Sequence, residues 1–457
     1  MNPLLLIICL LLVVLQMSLS RRWAFLPLLV AACHTPYAPF LGGLTVCRVV
    51  ILSGLIRAAP NGWLSWSARN RLDLLVGIFA IIALCSTLGH QWQLGNPLTA
   101  RLRLVLDVIG TYLYMRAYLA EADALQWFSR SLAIVIISFA IVLLIEKESG
   151  INPYARIGAV NSESMVRDGK IRAQGPFGTP ILTGTVGAVA IPLLIPLWRT
   201  RRRIAMAGLA ASFIVVYATA SSGPIGTALL GLAAVTLWKW RQHLKPLLIG
   251  LCVCLIVLQL IKQRPIWYLM ALMDLVGGST GWHRAYLIDM GLQHLNEWWL
   301  CGADYTRHWM PYGLAAVPEH CDLTNYYLHL GVMGGLPLTL SLLALQWKSF
   351  RLIGGRMAEL RTSRSPDEFW LWCLGSALFA HAVTFLSISY FDQIYVFFWG
   401  LIGGLMGFLN VDSAQETGEP HVESTPEVVA ERSAGESPSW GRGHGRRVIL
   451  SAPVELP

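Results

Sequence analysis

Three short stretches hold the residues whose types and spacing could do chemistry. In "VPEHCDLTNYY" (317–327), Glu319, His320, Asp322, Thr324 and Asn325 crowd the edge of an apolar run. An imidazole with a carboxylate two residues away is a candidate general base with its orienting partner. Thr324 or Asn325 also suits the cap of the helix that follows. In "GWHRAYLI" (281–288), His283 and Arg284 fall in the first turn of a helix-compatible stretch near 282–299. Ser279 or Thr280 could cap that helix, and Leu287, Ile288, Leu292 and Leu295 give it an apolar face. In "KIRAQGPFGTPILTGT" (170–185), Lys170 and Arg172 stand directly before another apolar run. A guanidinium fork there suits a phosphate or pyrophosphate oxygen. For Arg156 and Arg167, local pairing within a solvated loop is an equal reading.

The aromatic residues Trp298, Trp299, Trp309 and Tyr305 cluster between the stretches 281–288 and 317–327. They can anchor an interface, or stack on the C–H faces of sugar rings and so bind a glycan. Cys301 and Cys321 are the only two of nine cysteines outside apolar runs, and an oxidising compartment would let them pair. The other seven read as small core residues, and no cysteine spacing suits a metal.

The elements that must position these residues are membrane helices. The chain has 457 residues, 55% hydrophobic and 13% charged, against about 25% charged in soluble domains. Apolar segments of span length recur at about 3–20, 23–40, 43–59, 73–90, 103–120, 126–146, 180–198, 204–221, 223–239, 246–262, 326–346, 368–389 and 391–410. The second and third are weakened by Pro36, Pro39 and His34, so 12 or 13 helices are expected in an all-α polytopic membrane protein. The net charge of +9 sits in short loops, which encodes orientation and gives no case for nucleic acid binding. "WRTRRRI" (198–204), "KWRQHLK" (239–245) and the basic stretch 348–365 share one side, which the positive-inside rule makes cytoplasmic. The chain then divides into N-terminal helices (1–146), a first external loop (147–179) and central helices (180–262). A large external loop (263–325), C-terminal helices (326–410) and a Pro/Glu/Ser/Gly-rich cytoplasmic tail (411–457) complete it. Within the spans, Asp107 and Arg116 lie about 13 Å apart along one helix, too far to pair, so each should face the bundle interior or an interface.

Taken in order, "RAQGPFGTPILTGTVGA", "GWHRAYLI", and "HCDLTNYY" with "GGL" in the next helix resemble the O-antigen ligase and polymerase superfamily of bacterial membrane enzymes. The resemblance covers roughly 150–345. It implies a bundle like that of the C-superfamily of membrane glycosyltransferases, with a long external loop, no cofactor and no metal. It also implies a donor glycan on undecaprenyl pyrophosphate, and an active site facing the periplasm of the bacterial inner membrane. By the same resemblance, Arg172 and Arg284, with Lys170 alongside, hold the pyrophosphate, and His320 activates the acceptor hydroxyl with inversion at the anomeric carbon. Many members carry His-Asn where this chain has His320-Cys321-Asp322, so Asp322 is the substitute base.

The expected activity is therefore a glycan polymerase of O-antigen or exopolysaccharide synthesis. The alternatives are a ligase that transfers the glycan to a lipid A core or protein acceptor, and a transporter or flippase of the same lipid-linked oligosaccharide. Partners would include the lipid-linked donor, a glycan or lipid acceptor, membrane lipids, and a chain-length regulator or flippase. No internal repeat of the kind that many transporters carry is visible.

Overall fold

Helix starts follow the local chemistry of the sequence. Asn2, Thr45, Asn70, Asn96 and Asn325 each accept a backbone N–H at the head of a helix, and Pro3, Pro97 and Pro180 occupy first-turn positions. The computed structural model describes residues 2–40, 43–64, 66, 70–91, 96–121, 123–272, 281–312 and 318–416. The N-terminal helices are α1 (Pro3–Ser18), α2 (Phe25–His34), α3 (Val46–Ala58), α4 (Arg71–Cys85), α5 (Pro97–Val105), α6 (Thr111–Tyr118) and α7 (Ala124–Ser149). The central group is α8 (Pro180–Leu194), α9 (Leu197–Thr200), α10 (Arg202–Ala218), α11 (Ser222–Thr236) and α12 (Leu244–Ile261). Short helices α13 (Gly281–Gln293) and α14 (Leu295–Trp298) precede α15 (Tyr326–Thr362), α16 (Asp367–Thr384) and α17 (Tyr395–Glu416).

Each of the thirteen apolar segments falls on helix, and the coarse class is an all-α membrane protein. Among the described residues, five helical segments are long and apolar enough to cross a bilayer: Arg71–Gly89, Ala124–Ser149, Ser222–Ile261, Tyr326–Thr362 and Asp392–Leu409. That is fewer than the 12 or 13 spans expected. The helix α2 has only 10 residues, about 15 Å against a hydrocarbon thickness of about 30 Å. The described residues up to Glu416 form one unit, in which α7 continues past 146 to Ser149 and α13 and α14 lie within 263–325. The helix α17 also runs six residues beyond the expected tail boundary, and the rest of 411–457 lies outside the described residues.

Buried charges tie the bundle together. Asp107 takes a two-pronged bond from Arg48, with Nε–Oδ1 and Nη2–Oδ2 both 2.8 Å, while Arg116 pairs with Asp73. Asp107 and Arg116 thus face the interior and choose partners on other helices, as their separation along one helix requires.

Two groups of loops gather as the charge pattern implies. Glu368 accepts from both Arg241 Nε and Arg361 Nε at 2.9 Å, and Arg199 lies 4.8 Å above the Phe369 ring. The three basic segments therefore converge. The loops 147–179 and 263–325 also approach one another, since Arg284 feels the charges of Arg167 and Arg172.

Two features depart from plain helical spans. The loop 147–179 contains an antiparallel hairpin, β1 (Met165–Arg167) and β2 (Lys170–Arg172), turned by Asp168 and Gly169 at φ 50° and 73°. Asp-Gly is the favoured pair for a two-residue turn with positive φ. The helix α15 is also not one rod: Gly334 (φ −152°, ψ 23°) and Gly335 (φ 76°, ψ 179°) break it. At the break, Leu336 N–H donates to Trp299 O at 2.7 Å and Ala303 N–H to Val332 O at 2.8 Å. Residues 299–303 of the loop 263–325 therefore dock on the backbone that the break exposes.

Candidate functional site

The first loop is built around a buried carboxylate. Glu146, at the end of α7, accepts the N–H groups of Gln174 and Gly175 at 2.9 Å each and the Ser164 hydroxyl at 3.1 Å. This clamp fixes the Gln-Gly-Pro-Phe turn that starts α8. Arg172 continues the same work. Its Nη2 donates to Ser221 Oγ at 2.6 Å and its Nε to Thr219 O at 3.3 Å, locking β2 onto the turn between α10 and α11. Burial pushes the Arg172 pKa down, and Arg167 adds to the effect. Lys170 is exposed and pairs in register with Arg167.

The second loop carries the more open chemistry. Arg284 stands in the first turn of α13, as the sequence implies, while its expected caps Ser279 and Thr280 lie outside the described residues. Burial lowers its pKa, Asp322 opposes that, and Arg167 and Arg172 reinforce it. Among the described residues its Nε is buried with no hydrogen-bond partner, and so is the Oγ of both Thr324 and Ser389. All three residues line one cavity of about 270 Å³, together with His320, Asp322 and His329. Asp322 is pushed upward by burial, with His283 and Arg284 holding it down in part.

His320 belongs to a second cavity as well. That space, about 360 Å³, is lined by His90, Arg101, Asp304, Glu319, His320 and His329. Nδ1 of His320 lies 3.1 Å from Thr306 Oγ1. Among the described residues its Nε2 has no partner. Burial pushes the His320 pKa below the usual imidazole range, against the pull of Glu319 and Asp304. The ring is therefore predominantly neutral at pH 7 and able to accept a proton. His329 stacks on Tyr326 at 6.2 Å, and it also lines both cavities.

Other expectations are corrected by the packing. Trp298 and Trp309 are core residues of the loop, 5% and 1% exposed. Trp298 donates to Gly291 O at 2.8 Å and Trp309 to Glu297 Oε2 at 2.9 Å, so neither presents a face to a sugar. Trp299 and Tyr305 are half exposed and remain available. Cys301 and Cys321 do not pair and both are free thiols. Cys321 is buried with its Sγ turned to Thr306 Oγ1, whereas Cys301 lies against Gly89.

Sequence reasoning passed over His90, Arg101 and Asp304. His90 Nδ1 bonds Asp304 Oδ1 at 2.5 Å, and Arg101 donates to Ser86 Oγ at 3.2 Å and to Met333 O beside the α15 break. The signal was present in Arg101. The loop-charge pattern of the sequence would put it on the side opposite the basic segments, where a cation runs against the orientation bias. No protein-family model matches this chain, and no match to a curated protein was found.

Proposed function

We propose that this protein is a membrane glycan-transfer enzyme, a polymerase that joins oligosaccharide repeats carried on undecaprenyl pyrophosphate. The observation that supports this most is a pair of cavities that share His320 and His329, with an arginine in each. Two compartments around one base suit a reaction of two substrates. A donor diphosphate finds in Arg284 a charged fork with an unbonded N–H. An acceptor hydroxyl reaching His320 from the other cavity would lose its proton to Nε2 as its oxygen bonds the anomeric carbon. The anomeric C–O bond to phosphate breaks with inversion, and the lipid pyrophosphate leaves. That leaving group is already good, so orientation and charge neutralisation supply most of the rate.

The test is the glycan profile of cells lacking the protein, complemented with wild type or with His320→Ala. Single repeats on the final acceptor identify a polymerase. Full-length chains left on the lipid carrier identify a ligase instead. Unchanged glycans on carrier and surface overturn glycan transfer altogether.

A further inference from the structure

Away from these cavities, three side chains of the second loop converge. His294 follows α13, Glu297 lies in α14, and His308 lies in the short turn Arg307–Trp309. His294 Nδ1 is 2.7 Å from Glu297 Oε1, and His308 Nε2 is 3.0 Å from Glu297 Oε2. The three ligand atoms lie within 4.8 Å of one another. Both imidazoles are braced by aromatic planes. The His294 ring stacks on Trp309 (5.7 Å, 10°) and the His308 ring on Tyr305 (5.5 Å, 6°). The carboxylate is oriented in turn by Trp309 Nε1, 2.9 Å from Oε2.

We propose that His294, Glu297 and His308 bind one divalent transition-metal ion of the zinc class, with water completing the coordination. Two imidazole nitrogens and a carboxylate oxygen form a borderline donor set that selects Zn²⁺ over Mg²⁺ or Ca²⁺. For bonds of about 2.0–2.1 Å in a tetrahedron, ligand atoms are spaced by about 3.3 Å, so small side-chain rotations would seat the ion. The Trp309 N–H on the carboxylate is the outer contact such a site uses to hold its ligand. The ion would pin α13–α14 to the segment 305–309. That segment includes Thr306, the partner of His320, so metal binding would stiffen the loop whatever the chain's activity.

The experiment is titration of the purified full-length protein, stripped with a chelator, with Zn²⁺ against a chromophoric competitor. Wild type should take up one equivalent that His294→Ala/His308→Ala does not, since other histidines and the cysteines contribute equally to both. Glu297→Gln preserves volume and should weaken that equivalent at least tenfold. Trp309→Phe keeps the stacking plane, and losing the N–H should weaken binding about tenfold. Zn²⁺ should also raise the melting temperature of wild type but not of the double variant. Equal zinc uptake and affinity in wild type, the double variant and Glu297→Gln would overturn the site and leave a hydrogen-bonded His-Glu-His cluster.

Discussion

His320 Nδ1 and Thr306 Oγ1 are 3.1 Å apart, and Thr306 Oγ1 also accepts the Cys321 N–H at 3.3 Å. One hydroxyl therefore fixes both the ring and the backbone that carries it. With the ring proton on Nδ1 and donated to Thr306, Nε2 keeps the lone pair that a general base needs. Thr306→Val should lower the transfer rate about 10- to 100-fold with little change in the KM for the lipid-linked donor, and Thr306→Ser should recover most of it. His320→Ala should cost more, about 100- to 10,000-fold. Initial rates with a reconstituted lipid-linked substrate check this. A Thr306→Val enzyme with full activity would remove Thr306 from the positioning role.

The depressed pKa of His320 gives a pH prediction. Burial disfavours the imidazolium, so the neutral form that the proposed chemistry requires persists below the usual midpoint of about 6.5. The acid limb of the rate profile should therefore fall below that value, with a plateau through neutrality. The stability linkage has the matching sign. The unfolded chain binds this proton more readily, so acidification through the window below about 6.5 draws the equilibrium toward unfolding. A rate profile whose acid limb is unchanged in an active His320 variant would assign the limb to another group.

Much of this was legible in the sequence, and the failures have physical causes. Apolar length found the helices, and loop charge found the convergence of the basic segments, because both are local properties. The first turn of α13 and the Asn325 cap were readable for the same reason. The use made of Arg172 was not, because its partners Thr219 and Ser221 lie almost fifty residues away. Trp298 and Trp309 were misread because aromatic residues look alike whether they pack a loop core or face a ligand. The Asp168-Gly169 turn was readable as a hairpin signal and was passed over.

The arginines should now separate. Arg284 has an unpartnered Nε beside Asp322 in the cavity, so Arg284→Gln should lose a charge-assisted contact worth about 1.5–3 kcal/mol to an anionic donor. That corresponds to about 10- to 150-fold in donor KM, with the protein folding normally. Arg172→Ala should instead lower the melting temperature and the amount of protein in the membrane, because it unfastens β2 from the turn between α10 and α11. Arg172→Lys should not restore it, since an ammonium does not reproduce the fork. Donor titrations alongside thermal unfolding distinguish the two. A stable Arg172→Ala protein with weakened donor binding would give Arg172 the pyrophosphate-binding role that the resemblance implies.

The break in α15 supplies a prediction with its own internal control. Gly335 adopts φ 76° and ψ 179°, a region essentially confined to glycine, and a Cβ there would meet Leu300 O at 2.2 Å. Gly335→Ala should cost at least about 1–3 kcal/mol from the backbone alone, and more from displacing residues 299–303. Further along the same helix, Gly354 and Gly355 have open space around their Cβ positions. Alanine there should stabilise by about 0.5–1 kcal/mol, because a helix interior favours it over glycine. Melting in detergent, followed by tryptophan fluorescence, should place Gly335→Ala below wild type and Gly354→Ala above it. Activity should fall with the former, because the break carries Val332 and Met333 of the His320–Arg101 cavity. If Gly335→Ala melts with the wild type, α15 runs unbroken and the loop 299–303 docks elsewhere.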